Sequence, residues 1–580
     1  MQVTLRALLG GWVLLAAAGA LRADSPTAGS EALKLIPKQA DLVVQVSNPK
    51  ALIDGLLNDG WIQQIQQLQG VQEAYDTTNA RRFYQLVSYF EKQLGVAWPE
   101  AVDRIAGGGA VFALKIGTNP APVLLVVQGK DEKLVKKFAE TALNVVEQEL
   151  ARQEAKITIE KKKVGDVEVV KINNVRAAVV GASILISNND QALKLALELR
   201  EKGDKGENIT TVESFQKSRS LLPENPLASL WFNLETVHNL PNAGQVFDLP
   251  NNQPQLTVLF GSLIDVVKRA PYVAAGAYGT KNGFEFTLRM PAGTKGMAKV
   301  HESHVPFDDT TGSLPLLNPK GTLYSSSYYL DVAKFWEHRK EFLNEQQLKA
   351  FEQFNDRSGR FLLGNKFNTL IEKVGPHQRI VVANQPKAGY TKQPKNRIPA
   401  FAFVAELRDP EFGKTLEALI RAGALLAGTQ ARLKLTEDKV GDIKLLGYRF
   451  DEDAELRQDT QDLRFNFSPC FATVGNQFIA ASTIEICREL VEQVSKEKPG
   501  KGNAAVTRDQ VYAAGVAEAL KLIEPELIDQ AILNQSLPID EARKEVNKLI
   551  NLVRQLGVLR FETVYGKDDF HYDIKLIRTK

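Results

Sequence analysis

Ser-x-x-Lys spacings such as Ser47 to Lys50 in SNPK and Ser214 to Lys217 in SFQK raise the question of chemistry first. In serine acyl-enzymes a lysine one helical turn from the serine helps remove its proton. The flanking residues argue for plain structure instead. Asn48-Pro49 reads as a helix start, with Asn48 as the cap and Pro49 in the first turn. Thr210 and Glu213 have capping-box spacing, which places Ser214 in an ordinary helix. The companion Ser-Asp-Asn and Lys-Thr-Gly motifs do not occur, nor do a Gly-x-Ser-x-Gly elbow, a Walker A loop or a His-Glu-x-x-His pair. In GGGAVFALK (107–115) the glycines precede a strand, whereas a dinucleotide fingerprint needs them after one. No catalytic constellation is legible.

Metal ligands are the next possibility. His301 and His304 lie in HESHVPFDD, and imidazole with carboxylate suits zinc or another divalent ion. The spacing fits no closed zinc motif, and a polar connector has the same composition. FDEDAELRQDTQDLRF (450–465) offers Asp451, Asp453, Glu455 and Asp459 as oxygen ligands, making Ca²⁺ the one cofactor the sequence suggests. The loop lacks the turn glycine of an EF-hand, and a solvated acidic loop is the competing reading. Upstream, KAGYTKQPKNR (387–397) presents Lys387, Tyr390, Lys392, Lys395 and Arg397, a basic protrusion suited to an acidic partner or simply a hairpin tip. Cys470 and Cys487 are the only cysteines. They form a disulfide candidate, with two buried free thiols as the alternative.

The elements that must position these residues recur in order. KVGD appears at 163–166 and again at 439–442. Around the first copy run a strand (PVLLVV, 122–127), a helix from DEKLVKKF, the turn, a hairpin (RAAVVGASILIS, 176–187) and a helix (DQALKLALEL). Around the second run PAFAFVAEL (399–407), DPEFGKTL, the turn, CFATVGNQFIAAS (470–482) and TIEICRELVEQV. AYGTKNGFEFTLR (277–289) echoes VYGKDDFHYDIKL (564–576). Ordered self-similarity of this kind predicts two tandem copies, 31–295 and 313–580, joined by a linker at 296–312.

Alternation in Phe284, Phe286 and Leu288, and in Phe570, Tyr572, Ile574 and Leu576, predicts strands with one dry and one wet face. Leu134, Phe138 and Ala142, like Phe412, Leu416 and Ile420, recur every four residues as helical stripes. Short turns between strands predict antiparallel pairing. The expected class is α+β: in each copy a largely antiparallel sheet with helices packed on one face.

Composition bounds the rest. The 580 residues are 44% apolar and 24% charged, ordinary for a globular chain, and 72 basic against 69 acidic residues give no field for nucleic acid. Residues 1–23 have an early cation, Arg6, an apolar stretch from Ala7 to Leu21 and small residues before Asp24, the pattern of a signal peptide. The apolar stretch is shorter than the ~20 residues of a spanning helix. An exported chain, periplasmic or extracellular and with no membrane span after cleavage, is expected.

LIPKQADLVVQVSNP (35–49), AVVGASILISNNDQALKLAL and LLPENPLASLWFNLET (221–236) resemble an uncharacterised family of exported bacterial proteins known only as a domain of unknown function. The resemblance covers most of 31–295 and, more faintly, 313–580. It implies export and carries over no catalytic residue. Three functions are compatible: a non-catalytic binding or scaffold protein of the envelope or extracellular space with an unknown protein or envelope partner, a hydrolase or peptidase whose site is not a sequence motif, or a calcium-dependent adhesion or assembly protein.

Overall fold

The computed structural model describes residues 30–578 apart from 58–59, 153–157, 242, 245–253, 281–282, 308–311, 386, 388, 455–458, 460 and 498–503. The chain forms two compact units, Met1–Phe247 with Val267–Pro291, and Asp248–Val266 with Ala292–Lys580. The signal-peptide segment, 1–23, lies outside the described residues. Among the described residues no helix is long and apolar enough to cross a membrane.

The strands of the first unit are β1 (Leu42–Val46), β2 (Gly109–Leu114), β3 (Val123–Gln128), β4 (Ile159–Val164), β5 (Val167–Ile172), β6 (Val175–Val180), β7 (Ser183–Ser187), β8 (Ala228–Asn233), β9 (Tyr272–Thr280) and β10 (Gly283–Met290). They pair in the spatial order β4-β5-β6-β7-β3-β2-β1-β8-β9-β10, every pair antiparallel. Those of the second unit are β11 (Thr322–Tyr329), β12 (Val374–Ala383), β13 (Ala400–Leu407), β14 (Leu433–Val440), β15 (Ile443–Phe450), β16 (Cys470–Val474), β17 (Gln477–Ala481), β18 (Ala505–Tyr512), β19 (Val558–Tyr565) and β20 (Phe570–Ile577). Their order is β14-β15-β16-β17-β13-β12-β11-β18-β19-β20, again antiparallel throughout. The two spatial orders are the same permutation of chain order. The α+β class with antiparallel sheets is as the sequence predicts.

The repeated KVGD is a hairpin turn in both places. Val164 pairs with Val167 and Val440 with Ile443, so two residues make each loop. Gly165 (φ 62°) and Gly441 (φ 58°) take the left-handed conformation that a tight hairpin asks of its turn, where a side chain would strain the backbone.

Successive strand residues face opposite ways, so β3 and β7 show which layer covers which side of the first unit's sheet. Leu124, Val126 and Leu185 join a core with Val111, Leu193, Ala196 and Leu197, the last three from the helix Asp190–Lys202. Val127, Ile184 and Ile186 point the other way. There they meet Phe90 and Leu94 of α1 (Thr78–Leu94), Ala101 and Ile105 of α2 (Trp98–Ala106), and Leu134, Val135 and Phe138 of α3 (Glu132–Arg152). With Asp190–Lys202 as α4, the first unit carries helices on both faces here. The structure thus adds a second helical layer to the one-sided packing read from the alternation of the last hairpins. The physical reason is that β3 and β7 are apolar at nearly every position, so both of their faces need cover.

In the second unit, α5 (Phe412–Ala431) and α6 (Ile484–Ser495) stand at the places of α3 and α4 in chain order. Ile486, Leu490, Val491 and Val494 of α6 pack on Val381, Ala400, Ala402, Val404 and Ile479. Between β11 and β12, short helices gather around Trp336, whose ring lies 5.1 Å from that of Phe351. The three helices that join β18 to β19 have a core of their own, built from Ala517, Ile528, Ala542, Val546 and Ile550.

Candidate functional site

The Ser-x-x-Lys pairs are structural. Ala51 N donates to Asn48 Oδ1 at 2.9 Å, so Asn48 caps the helix that Pro49 begins, and Lys50 pairs with Asp54. Ser214 sits in the helix Glu213–Leu221 and Lys217 pairs with Glu213 at 2.6 Å. The expected capping box does not form. Val212 is the N-cap, because Thr210 turns its hydroxyl to Asn208 Oδ1 at 2.6 Å inside a preceding 3-10 turn.

His301 and His304 are not on a solvated connector. His301 is buried in a 3-10 turn, Lys299–Ser303, that belongs to the second unit. His304 Nδ1 lies 2.9 Å from Ser303 Oγ, and burial, with the nearby His301 adding to it, pushes its pKa down to about 4. Asp308 and Asp309 lie outside the described residues.

The acidic and basic loops of the second unit find each other. Glu452 accepts from Thr391 N at 3.3 Å and Lys392 N at 2.8 Å, while Lys392 Nζ donates to the Glu452 carbonyl. Lys395 N donates to Gln461 O at 3.1 Å, and Arg397 donates to Gln393 Oε1 and Gln385 O. Tyr390 points inward: it is buried on Phe465, with ring centroids 5.0 Å apart, and its hydroxyl donates to Phe467 O and accepts from Phe450 N. Lys387 is exposed.

The carboxylates are engaged in the same way. Asp451 pairs with Lys434 at 3.1 Å and accepts from Asp453 N at 3.0 Å. Asp459 accepts from Leu463 N at 2.7 Å and pairs with Arg464 at 2.9 Å. Glu455 lies outside the described residues. Among the described residues no three His, Cys, Asp or Glu side chains converge as a metal site. In this structure Cys470 and Cys487 are reduced and not bonded to each other, and both are buried.

A row of buried charge was not anticipated. Arg379, 1% exposed, pairs with Glu497, donates to Gln477 Oε1 at 2.7 Å and to Pro315 O at 3.2 Å. His377 lies 2.7 Å from Glu406, whose other oxygen accepts from Asn476 Nδ2 at 3.2 Å. With both oxygens of Glu406 taken, the His377–Glu406 pair ties strands together. In the first unit the corresponding row, set by register, is Val111, Val126 and Leu185 where the second has Arg379, Val404 and Ile479. The polar residues within the strand run HQRIVVA (377–383) are the signal that was available.

The outer face of β13 is the other unanticipated feature. Its residues alternate strictly: Ala400, Ala402 and Val404 are buried under α6, while Phe401 is 52% and Phe403 39% exposed. Beside them on the same side are Ile380 and Val382 of β12, Ala480 and Phe478 of β17 and Phe471 of β16. Phe471 and Phe478 stack with centroids 6.3 Å apart. A cavity of about 190 Å³ adjoins this face, lined among others by Gly413, Glu417, Leu446, Phe471 and Phe478.

Register makes Val123 and Leu125 of β3 the counterparts of Phe401 and Phe403. Their neighbours on the first unit's face, Val127, Ile184 and Ile186, are the residues closed by α1, α2 and α3. The pattern PAFAFVAEL hides this inversion, because alanine inward and phenylalanine outward reverses the usual order of burial. A helix lying close over the sheet leaves room only for the small residues.

No family model matches the chain, and no curated protein matches it. Two solved structures that do match are crystal forms of TP0453. Form IV is 10% identical, over 45% of this chain and 79% of that chain, with a TM-score of 0.23. Form I is 11% identical, over 46% and 79%, with a TM-score of 0.22. Overlap this slight carries no argument about fold or function.

Proposed function

We propose that this is a non-catalytic, exported binding or scaffold protein built from two copies of one helix-backed sheet. Its contact surface is the outer face of β13 and β17 in the second unit. The observation that carries this reading is the exposure of Phe401 and Phe403, whose first-unit counterparts Val123 and Leu125 are half-buried on a face that helices cover at Val127, Ile184 and Ile186. Contiguous aromatic surface of this kind is what interaction sites present. Since α1 and α2 close the matching face with Phe90, Leu94, Ala101 and Ile105, the shape it fits is an amphipathic helix laying an apolar stripe across the strands. The shared strand order supports the tandem reading, and the pattern of residues 1–23 supports export.

The test places a photo-crosslinking amino acid at position 403, and separately at 125, in the full chain produced in its own cells. A discrete higher-mass adduct from 403 and none from 125 is expected. Unmodified chain from both positions, or turnover of substrate by the purified protein, would overturn the reading.

A further inference from the structure

The only two cysteines of the chain end side by side in one core. Cys470 opens β16 opposite Ala481, and Cys487 sits one turn into α6, four residues after its cap Thr483. Both are fully buried in the cluster that includes Ala472, Ile479, Ile486 and Leu490. β16 and α6 pack directly on each other in this core, which sets the two cysteines on facing elements. A buried residue touches roughly 6–12 others, so two residues placed independently among the many buried ones of this chain would seldom be neighbours.

The first unit shows what this place in the fold does. The residue opposite Ser187, as Cys470 is opposite Ala481, is Arg176; four residues after the cap Asn189 comes Leu193. There Arg176 reaches Asp190 at the start of α4 with two parallel bonds, Nε to Oδ1 at 2.8 Å and Nη2 to Oδ2 at 2.6 Å. A bidentate ion pair thus ties the hairpin to the helix that follows it. At the same joint the second unit has Cys470 where Arg176 stands.

We infer that Cys470 and Cys487 form a disulfide that ties the β16–β17 hairpin to α6, made by exchange with a disulfide donor as the exported chain folds. In the first step one cysteine thiolate attacks the donor disulfide, forming a mixed disulfide and releasing one donor thiolate. In the second, the other cysteine thiolate attacks the chain's sulfur in the mixed disulfide, forming the internal bond and releasing the second donor thiolate. Two protons leave the chain's thiols and two electrons reduce the donor. The bond forms before the hairpin and helix close, because in the folded chain both thiols are sealed from a donor, and the neighbouring Cys470, together with burial, raises the Cys487 thiol further from its reactive anion. Folded, reduced chain is therefore inert to the same donor.

The full chain is recovered from an oxidising compartment, denatured in the presence of N-ethylmaleimide and weighed intact, before and after reduction. No alkyl group before reduction and two after is the expected result. Two alkyl groups before reduction, in chain refolded with oxidised glutathione as well as in chain from the cell, would overturn the inference. Thermal melting gives a second readout: reductant should lower the melting temperature of the oxidised chain by about 5–10 °C. It should leave a Cys470→Ala/Cys487→Ala double variant unmoved. A shift of the same size in that variant would also overturn the assignment.

Discussion

On one strip of the first unit, Val123, Leu125 and Val127 lie on the side of the sheet where α1, α2 and α3 are layered. On the matching strip of the second, Phe401 and Phe403 face solvent and Ala405 alone is buried. The opposite side differs in the reverse sense. Val111 lies between the apolar Val126 and the buried, uncharged Gln45, and the second unit puts Arg379 in the same row. One strand order therefore supports two distributions of polarity. Burying Arg379 is tolerated because Glu497, Gln477 and the Pro315 carbonyl meet it, whereas exposing two phenylalanines has no compensation within the described residues of their own unit. The contact proposed above would cover these two rings.

The comparison breaks most visibly at the buried charge. Arg379→Val, which copies the first unit, should destabilise the second unit by about 3–5 kcal/mol, because Glu497 is left without its partner. An Arg379→Leu/Glu497→Leu double variant should recover most of that loss in urea unfolding. Next comes the outer face. Phe90→Ala in the first unit should cost about 3 kcal/mol through the cavity it leaves. Phe403→Ala should cost under about 1 kcal/mol, since its side chain is partly in water already. Equal costs in the two would mean that the faces are equally covered.

Acid should separate the units further. His304 is kept neutral by burial, so its folded pKa of about 4 lies below the unfolded 6.5. The unfolded chain binds the proton first. The associated stability is present above pH 6.5 and is lost as the pH falls toward 4, by ~3 kcal/mol. Melting followed between pH 7 and 4.5 should show a fall that His304→Asn reduces. The smallest effect is expected where the basic and acidic loops meet. Glu452→Ala removes an acceptor from two backbone amides near the surface and should lower stability by about 0.5–1 kcal/mol in urea unfolding.

Much of the fold could be read from sequence because hairpins are local. Val164-Gly165-Asp166-Val167 and Val440-Gly441-Asp442-Ile443 declare their turns, and strands such as CFATV and QFIAA follow from a central glycine and period-two alternation. Asn48 and Pro49 announce a helix start that forms as expected. What fails is whatever depends on the far side of an element. The second helical layer over β3 and β7 is set by α1 and α2, which lie before those strands in sequence and whose own stripes are short.

The loop pairing of Glu452 with Lys392 joins residues sixty apart, and spacing carries no trace of it. The burial of Arg379 has no local sign, because its partner Glu497 lies more than a hundred positions later. The capping-box spacing at Thr210 misleads because Asn208, two residues earlier, competes for the same hydroxyl.

The most direct measurement is carbene footprinting of the full chain, alone and in an envelope preparation from its own cells. Peptides from β3 and β13 are compared. The account predicts heavy labelling at Phe401 and Phe403 in the isolated chain, protection of both in the envelope preparation, and little labelling at Val123 and Leu125 in either. Equal labelling of the two strands in isolation, or no protection of Phe401 and Phe403 in the presence of envelope, would contradict it.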